Sequence, residues 1–134
     1  MSASEVPYKT VFSPDAPKAI GPYSPGTIHN GVVYLSGCIS FIPETMELLR
    51  GGIEAETEQT LKNLFANLKA ANSGPSHVLK TTVFLKDMND FDKMNAVFEK
   101  VVLRPYKPAR SAIEIARLPR DALVEIECIA AVKE

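Results

Sequence analysis

The stretch KPARSAIEIARLPRDALVEIECIA, residues 107–130, decides how the C-terminal third of the chain is built. Its β-branched and apolar residues predict two strands, about Ala109 to Ile115 and about Leu123 to Val132, joined by the turn signal RLPRDA at 117–122. A polar set interrupts these apolar surroundings: Arg110, Ser111, Glu114, Glu125 and Glu127. Arg110 stands at the head of what reads as a core strand, where a hydrophobe is far easier to bury. If the two strands pair antiparallel across their short turn, Arg110 and Glu125 share one region. One reading is an intrachain ion pair, a poor stabilising device because desolvating each ion costs on the order of several kcal/mol. The other is a ligand site. There, the planar guanidinium of Arg110 grips a carboxylate through two hydrogen bonds. Glu125, in a partly desolvated cleft, positions and deprotonates a water.

Working outward, TIHNGVVYLSG (27–37) sets Asn30-Gly31 between β-favouring residues. This pair tolerates positive φ at both centres of a type I′ turn, so a hairpin is expected with its second strand from about Val32 to Cys38. Residues 39–52 read as a loop. From Ile53 to about Ala71, Leu61, Leu64, Phe65 and Leu68 fall at helical spacing, with Glu54, Glu56 and Glu58 near the positive N-terminal end. Gly74 is the expected left-handed cap, and Pro75 bars continuation. HVLKTTVFLKD (77–87) reads as a strand, followed by a helix over about Asp90 to Val102 whose buried stripe is Phe91, Met94, Phe98 and Val101. Pro105 and Pro108 bound that helix. The order is hairpin, helix, strand, helix, strand, strand: an α+β arrangement with two helices on one face of a sheet. The strand LVEIECIAAV (123–132) carries apolar groups on both faces, so partner subunits are an expected cover for the other face.

At 134 residues the chain has the length of one domain, expected over 1–134. Fifteen basic residues against 16 acidic ones leave a formal charge of −1, so bulk electrostatics give no support to a nucleic-acid partner. Cys38 and Cys128 read as small core residues in a reducing compartment, not as a disulfide. His29 and His77 lack ligand-spaced partners, so no metal site is expected, and no glycine-rich phosphate loop is present. Ser36, in LSGCI, is not a nucleophile elbow. No apolar run reaches the roughly 18 to 20 residues of a membrane helix, and MSASEVPYKT lacks the features of a leader, making a cytoplasmic location the expectation, with organelle import as the alternative.

Residues 107–130, together with AIGPYSPG (19–26), VVYLSG (32–37) and VLKTTVFLKDMNDFDKMNAVFEK (78–100), resemble in order the blocks of the RidA family, also called the YjgF or reactive intermediate deaminase family. The resemblance implies a chorismate-mutase-like fold with a mixed β-sheet, assembled as a homotrimer with ligand clefts between neighbouring subunits. It implies hydrolysis of 2-imino acids and their enamine tautomers, such as 2-aminoacrylate/2-iminopropanoate and 2-iminobutanoate, to 2-oxo acids and ammonia, without a cofactor. Carried over by position, Arg110 holds the substrate carboxylate and Glu125 orients the water. Tyr23 closes the cleft, Ser36 and Gly37 form its wall, Asn95 lies nearby, and Ala112 contributes a backbone carbonyl. Taken alone, Tyr23 reads equally as a loop anchor, Ser36 as a strand-end cap and Asn95 as a helix-surface amide. The family has also been described as endoribonucleases and translation inhibitors, which leaves RNA-directed activity, or a non-catalytic metabolite-binding or holdase role, as alternatives. Departures from the family pattern are Cys38 where Gln is common, Ala112 in place of Cys, Glu56 in place of Gln, and a loop SFIPETMELLRGG that differs from the usual glycine-containing turn after PxTG.

Overall fold

A computed structural model describes residues 5–101 and 107–134 of the chain. Its strands are β1 (Lys9–Thr10), β2 (Gly26–His29), β3 (Val32–Cys38), β4 (Val78–Leu85), β5 (Ala109–Glu114) and β6 (Val124–Ala131), and its helices α1 (Ile53–Ala70) and α2 (Phe91–Val101). They form one six-stranded mixed sheet in the order β1-β2-β3-β6-β4-β5. The expected α+β arrangement holds, with the short β1 added at one edge. The expected end of α2 at Val102 and the Pro105 beyond it fall outside the described residues.

The hairpin forms as its turn chemistry requires: Asn30 and Gly31 take φ of 50° and 76°, and β2 pairs antiparallel with β3. At the end of α1 the left-handed residue is Asn72 (φ 55°), not Gly74, whose φ of 179° is ordinary extended backbone. Asn72 can do this because its short polar side chain tolerates the left-handed region. The helix closes with Ser73 N–H donating to Leu68 O at 2.8 Å and Asn72 N–H to Lys69 O at 3.1 Å, a Schellman arrangement.

The larger correction concerns the C-terminal pair. β5 and β6 are not neighbours; β4 stands between them, parallel to β5 and antiparallel to β6. The cause is α2, which carries the chain from β4 across the sheet and back, and such a crossover delivers the next strand parallel to the first. Consequently β5 is an edge strand with most of its residues exposed, where a buried core strand was expected. Both faces of β6 are at least half-covered, in the alternating pattern of a central strand, with Val124, Ile126, Cys128 and Ala130 buried on the helix side.

Leu61, Leu64 and Leu68 of α1 and Met94 of α2 are 0–1% exposed and seal this core with Val83, Leu85 and Ile126. Each such side chain stabilises the fold by about 1.5–3 kcal/mol relative to an exposed one. Alongside the leucine stripe, α1 also buries polar side chains: Glu56, Thr57, Thr60, Asn63 and Asn67. Asn63 Nδ2 donates to Ile39 O (3.0 Å) and Phe41 O (2.8 Å), so the helix holds the 39–52 loop through hydrogen bonds as well as packing. Among the described residues the opposite sheet face is covered only in part, by a second cluster of Ile39, Phe41, Leu118 and Ala122, leaving Tyr34 and Ile113 at 47% and 45% exposure.

Candidate active site

Two hollows hold the residues singled out by sequence, and they are separate. The first, of ≈ 60 Å³, is lined by Tyr23, Ser36, Gly37, Cys38, Asn67 and Glu125, among others. The second, of ≈ 400 Å³, lies where α2 meets β5 and is lined by Thr81, Asn95, Phe98, Glu99, Lys107, Pro108 and Arg110. Arg110 and Glu125 are therefore not brought together within one chain, contrary to the hairpin expectation. Arg110 registers with Thr81 of β4, whereas Glu125 registers with Phe84 of the same strand. Three positions along a strand reverse the face, so the two side chains leave opposite sides of the sheet.

In the second hollow, the Arg110 guanidinium carbon sits 5.5 Å from the Phe91 ring centroid and 5.3 Å from that of Phe98, with Nη1 3.8 Å from Met94 Sδ. These contacts hold the fork by cation–π attraction while leaving most of its donors unspent. No carboxylate among the described residues lies within ion-pair distance of it, so the structural ion-pair reading has no partner in the chain. Partial burial lowers its pKa from the usual value, but guanidinium stays charged. Two buried oxygens beside it, Thr81 Oγ1 and Asn95 Oδ1, have no hydrogen-bond partner among the described residues. Ala112 is half-buried against the core, on the β5 face that packs with Val83, and lines neither hollow. Ile115 N–H donates to Leu85 O, so by the alternation of a parallel ladder the N–H and C=O of Arg110 and Ala112 point off the sheet edge.

The first hollow is assembled by β3 and β6. Gly37 and Glu125 are in close approach: a Cβ added at Gly37 would lie 2.7 Å from Glu125 Cδ and 3.0 Å from Oε2. Burial, and secondarily the charge of Glu127, raises the Glu125 pKa above the usual carboxylate value. A carboxyl in this state is poised to exchange a proton nearer neutrality. Ser36 acts as a tether. Its Oγ donates to Ser24 O at 2.7 Å and its N–H donates to Pro25 O at 2.9 Å, fixing the segment that carries Tyr23. Tyr23 is 49% exposed, and its hydroxyl accepts from Ile20 N–H at 3.3 Å.

Both cysteines are free thiols. Burial pushes Cys38 up to about 12, opposed by a hydrogen bond from Asn67 and reinforced by the charge of Glu125. Cys128 rises to about 12 through burial, with the nearby Cys38 and Glu127 adding to it. Neither supplies a thiolate near neutral pH. Among the described residues no three His, Cys, Asp or Glu side chains gather as a metal site, and no helix is long and apolar enough to cross a membrane.

Sequence reasoning missed Asn67, which lines the first hollow, and the internal role of Glu56, whose Oε1 accepts from Leu123 N–H at 3.0 Å just before β6. The signal was available: residues 56, 60, 63 and 67 fall on one helical face, a polar strip adjoining the leucine stripe.

Comparison with known proteins agrees with this architecture. The family described as Endoribonuclease L-PSP matches residues 13–132. The chain is 45% identical over 127 residues to the RutC family protein UK114 of Drosophila melanogaster, covering 95% of this chain and 91% of that one. It is 42% identical over 127 residues to the 2-iminobutanoate/2-iminopropanoate deaminase of Mus musculus, covering 95% and 93%. The crystal structure of RidA from the Antarctic bacterium Psychrobacter sp. PAMC 21119 superposes with a TM-score of 0.88 at 40% identity, covering 92% of this chain and 99% of that chain. The order of sequence blocks, the mixed sheet with two helices on one face and these likenesses agree: the chain belongs to the RidA/YjgF family.

Proposed function

We propose that this protein is a homotrimeric deaminase that hydrolyses small 2-imino acids, such as 2-iminopropanoate and 2-iminobutanoate, in clefts formed by the first hollow of one subunit and the second hollow of its neighbour. The observation that carries this reading is the separation of Arg110 and Glu125 into two hollows with complementary chemistry. One supplies an anion-gripping fork with no carboxylate partner in the chain, the other a carboxylate of raised pKa, and neither is a complete site. The exposed part of the sheet face away from the helices, with Tyr34 and Ile113, gives the subunits an apolar surface through which to associate.

In this cleft Arg110 holds the substrate carboxylate through two hydrogen bonds, steadied by Phe91 and Phe98, while Asn95 lies beside it and the edge-facing carbonyl of Ala112 accepts from the substrate nitrogen. The protonated imine is already electrophilic at C2. Glu125, backed against Gly37, accepts a proton from water as the water oxygen bonds to C2, giving a tetrahedral carbinolamine. Glu125 then returns that proton to nitrogen, the C–N bond breaks with its electron pair leaving on nitrogen as ammonia, and the hydroxyl proton passes by way of Glu125 to that ammonia as the C=O bond forms, giving a 2-oxo acid and ammonium. Tyr23 closes the mouth over the substrate and Ser36 fixes the segment on which it stands. Positioning and electrostatics suffice, without a covalent nucleophile.

Subunit complementation tests the reading. Arg110→Ala and Glu125→Ala each disable one half of every cleft, so each alone should fail to release ammonia from imine freshly generated by an amino-acid oxidase. Co-refolded in equal amounts, random trimers contain an intact cleft at about one site in four, and activity should return to about a quarter of wild type. No recovery from trimers that assemble normally overturns the shared cleft, and full activity of either single variant overturns the assigned role.

A further inference from the structure

Five buried side-chain oxygens have no hydrogen-bond partner among the described residues: Thr57 Oγ1, Thr60 Oγ1, Asn67 Oδ1, Thr81 Oγ1 and Asn95 Oδ1. The helical threonines Thr57 and Thr60 need no ligand to explain them, because a helical hydroxyl can turn toward the carbonyl of the preceding turn. Thr81 and Asn95 belong to the Arg110 hollow. Asn67 is different. It is 3% exposed, lines the Glu125 hollow, and its Nδ2 is spent on Cys38 Sγ at 3.9 Å, leaving an amide oxygen with no donor. An acceptor buried this way costs about 1–3 kcal/mol unless a donor reaches it. A Leu or Ile at this helical position would pack without that cost.

The donor has room. The hollow's ≈ 60 Å³ exceeds the space one water needs, roughly 10–15 Å³. Glu125 lines the same hollow, and Cys38 links the two groups: it receives the Asn67 hydrogen bond and lies within electrostatic reach of the Glu125 charge. Water has two hydrogens, and a carboxylate oxygen fixes only one of them. Held by that bond alone, the molecule can still swing its lone pairs away from the electrophile.

We propose that Asn67 Oδ1 is the second acceptor for the attacking water, so that Glu125 and Asn67 together fix both hydrogens and aim a lone pair at C2. This rests on the deaminase reading and adds to it a catalytic residue supplied by α1. The charge that acts on Glu125 is that of Glu127, two residues along β6; Lys18 lines the same hollow, and the Cys38 thiol bonds Asn67 and feels the charge of Glu125.

The test compares Asn67→Leu, of similar size without an acceptor, with Asn67→Asp, which keeps one. Asn67→Leu should retain trimer assembly and an unchanged KM while kcat falls about tenfold, the loss of one oriented hydrogen bond. Asn67→Asp, assayed beside Asn67→Leu at the same near-neutral pH where the imine is still protonated, should recover part of that kcat. Wild-type kcat in Asn67→Leu, or a loss carried by KM, overturns the proposal. If Asn67→Leu fails to fold, a high-resolution crystal structure of the wild-type trimer decides: a water bonded to both Asn67 Oδ1 and a Glu125 oxygen supports the proposal, and its absence overturns it. Should the wild-type protein hydrolyse no imine, the deaminase reading falls while that crystal structure still decides whether Asn67 holds a water.

Discussion

Substituting Gly37 by Ala separates the demands of folding from those of the proposed chemistry. Gly37 does not adopt a left-handed φ, so alanine meets no backbone strain there. The added Cβ, however, would stand 2.7 Å from Glu125 Cδ and 2.9 Å from Cγ. Carbon atoms rest at about 3.5 Å or more, so the carboxyl group must withdraw by about 0.8 Å. It can do so, because the obstructing atoms are the far end of a side chain in a hollow rather than backbone. Unfolding free energy should therefore change by less than about 1 kcal/mol, the usual range for a substitution that creates neither cavity nor trapped charge. Activity should suffer much more, since a displacement near 1 Å costs a positioned group on the order of a hundredfold. Thermal or denaturant unfolding of the Gly37→Ala protein, set beside its kcat for 2-iminobutanoate hydrolysis, gives both numbers. Wild-type turnover with unaltered stability would refute the claim that the seat of Glu125 matters, and a large stability loss would refute the claim that its side chain can yield.

Three further outcomes are expected. Met46 occupies the left-handed region (φ 59°) in the 39–52 loop, a conformation costing a non-glycine residue roughly 1–2 kcal/mol, but its half-buried side chain packs against the cluster of Ile39, Phe41, Leu118 and Ala122, so in Met46→Gly the lost packing and the added chain entropy should outweigh the relieved strain and lower stability by about 1 kcal/mol, read as a fall in melting temperature. The pKa of Glu125 is raised in the folded state by burial and by Glu127, so folding favours its protonated form. That contribution is fully present below the ordinary carboxylate value and is lost as pH rises through the raised one. Glu125→Gln should remove this part of the pH dependence and be the more stable protein at neutral pH while losing activity, as denaturation at several pH values will show. Phe91→Leu removes one of the two rings facing the Arg110 guanidinium, a contact worth about 0.5–1 kcal/mol, and should raise KM for the imine about two- to fivefold with kcat nearly intact. An unchanged KM would show that the rings do not steady the fork.

Local signals carried most of the architecture. The Asn30-Gly31 turn, the leucine stripe of α1 and the Met94–Phe98 stripe of α2 each dictate a short-range structure, and each forms as its periodicity requires. What escaped was non-local. The turn at 117–122 is short enough for a hairpin, and nothing within residues 107–130 reveals that β4 lies between the strands it joins. The clue lay upstream, in strand–helix–strand order from β4 through α2 to β5, which favours parallel neighbours. The position of the candidate site was legible in outline: Tyr23, Ser36, Gly37 and Glu125 line one hollow, and Asn95 and Arg110 another. Its division was not legible, because the strand order that sends Arg110 and Glu125 to separate hollows is set by non-local pairing. Asn67 escaped although its alignment with residues 56, 60 and 63 was readable, because a polar strip beside an apolar stripe shows itself as buried only once the helix is docked.

The edge position of β5 bears on the life of the chain before it meets another copy. An unpaired strand edge, next to an open sheet face carrying Ile113, is a template onto which any extended peptide can add, and a newly synthesised subunit is exposed to that hazard until the face is covered. Assembly of the proposed trimer and aggregation would then compete for the same surface, and protein concentration would tilt the contest both ways. Arg110 and Glu114, one near each end of the strand, place charge where a stacking neighbour would have to desolvate it. The arginine proposed to hold a substrate carboxylate would thus double as a gatekeeper of the open edge, and a chain that replaced it with an apolar residue should lose solubility as a monomer, whatever became of the proposed catalysis.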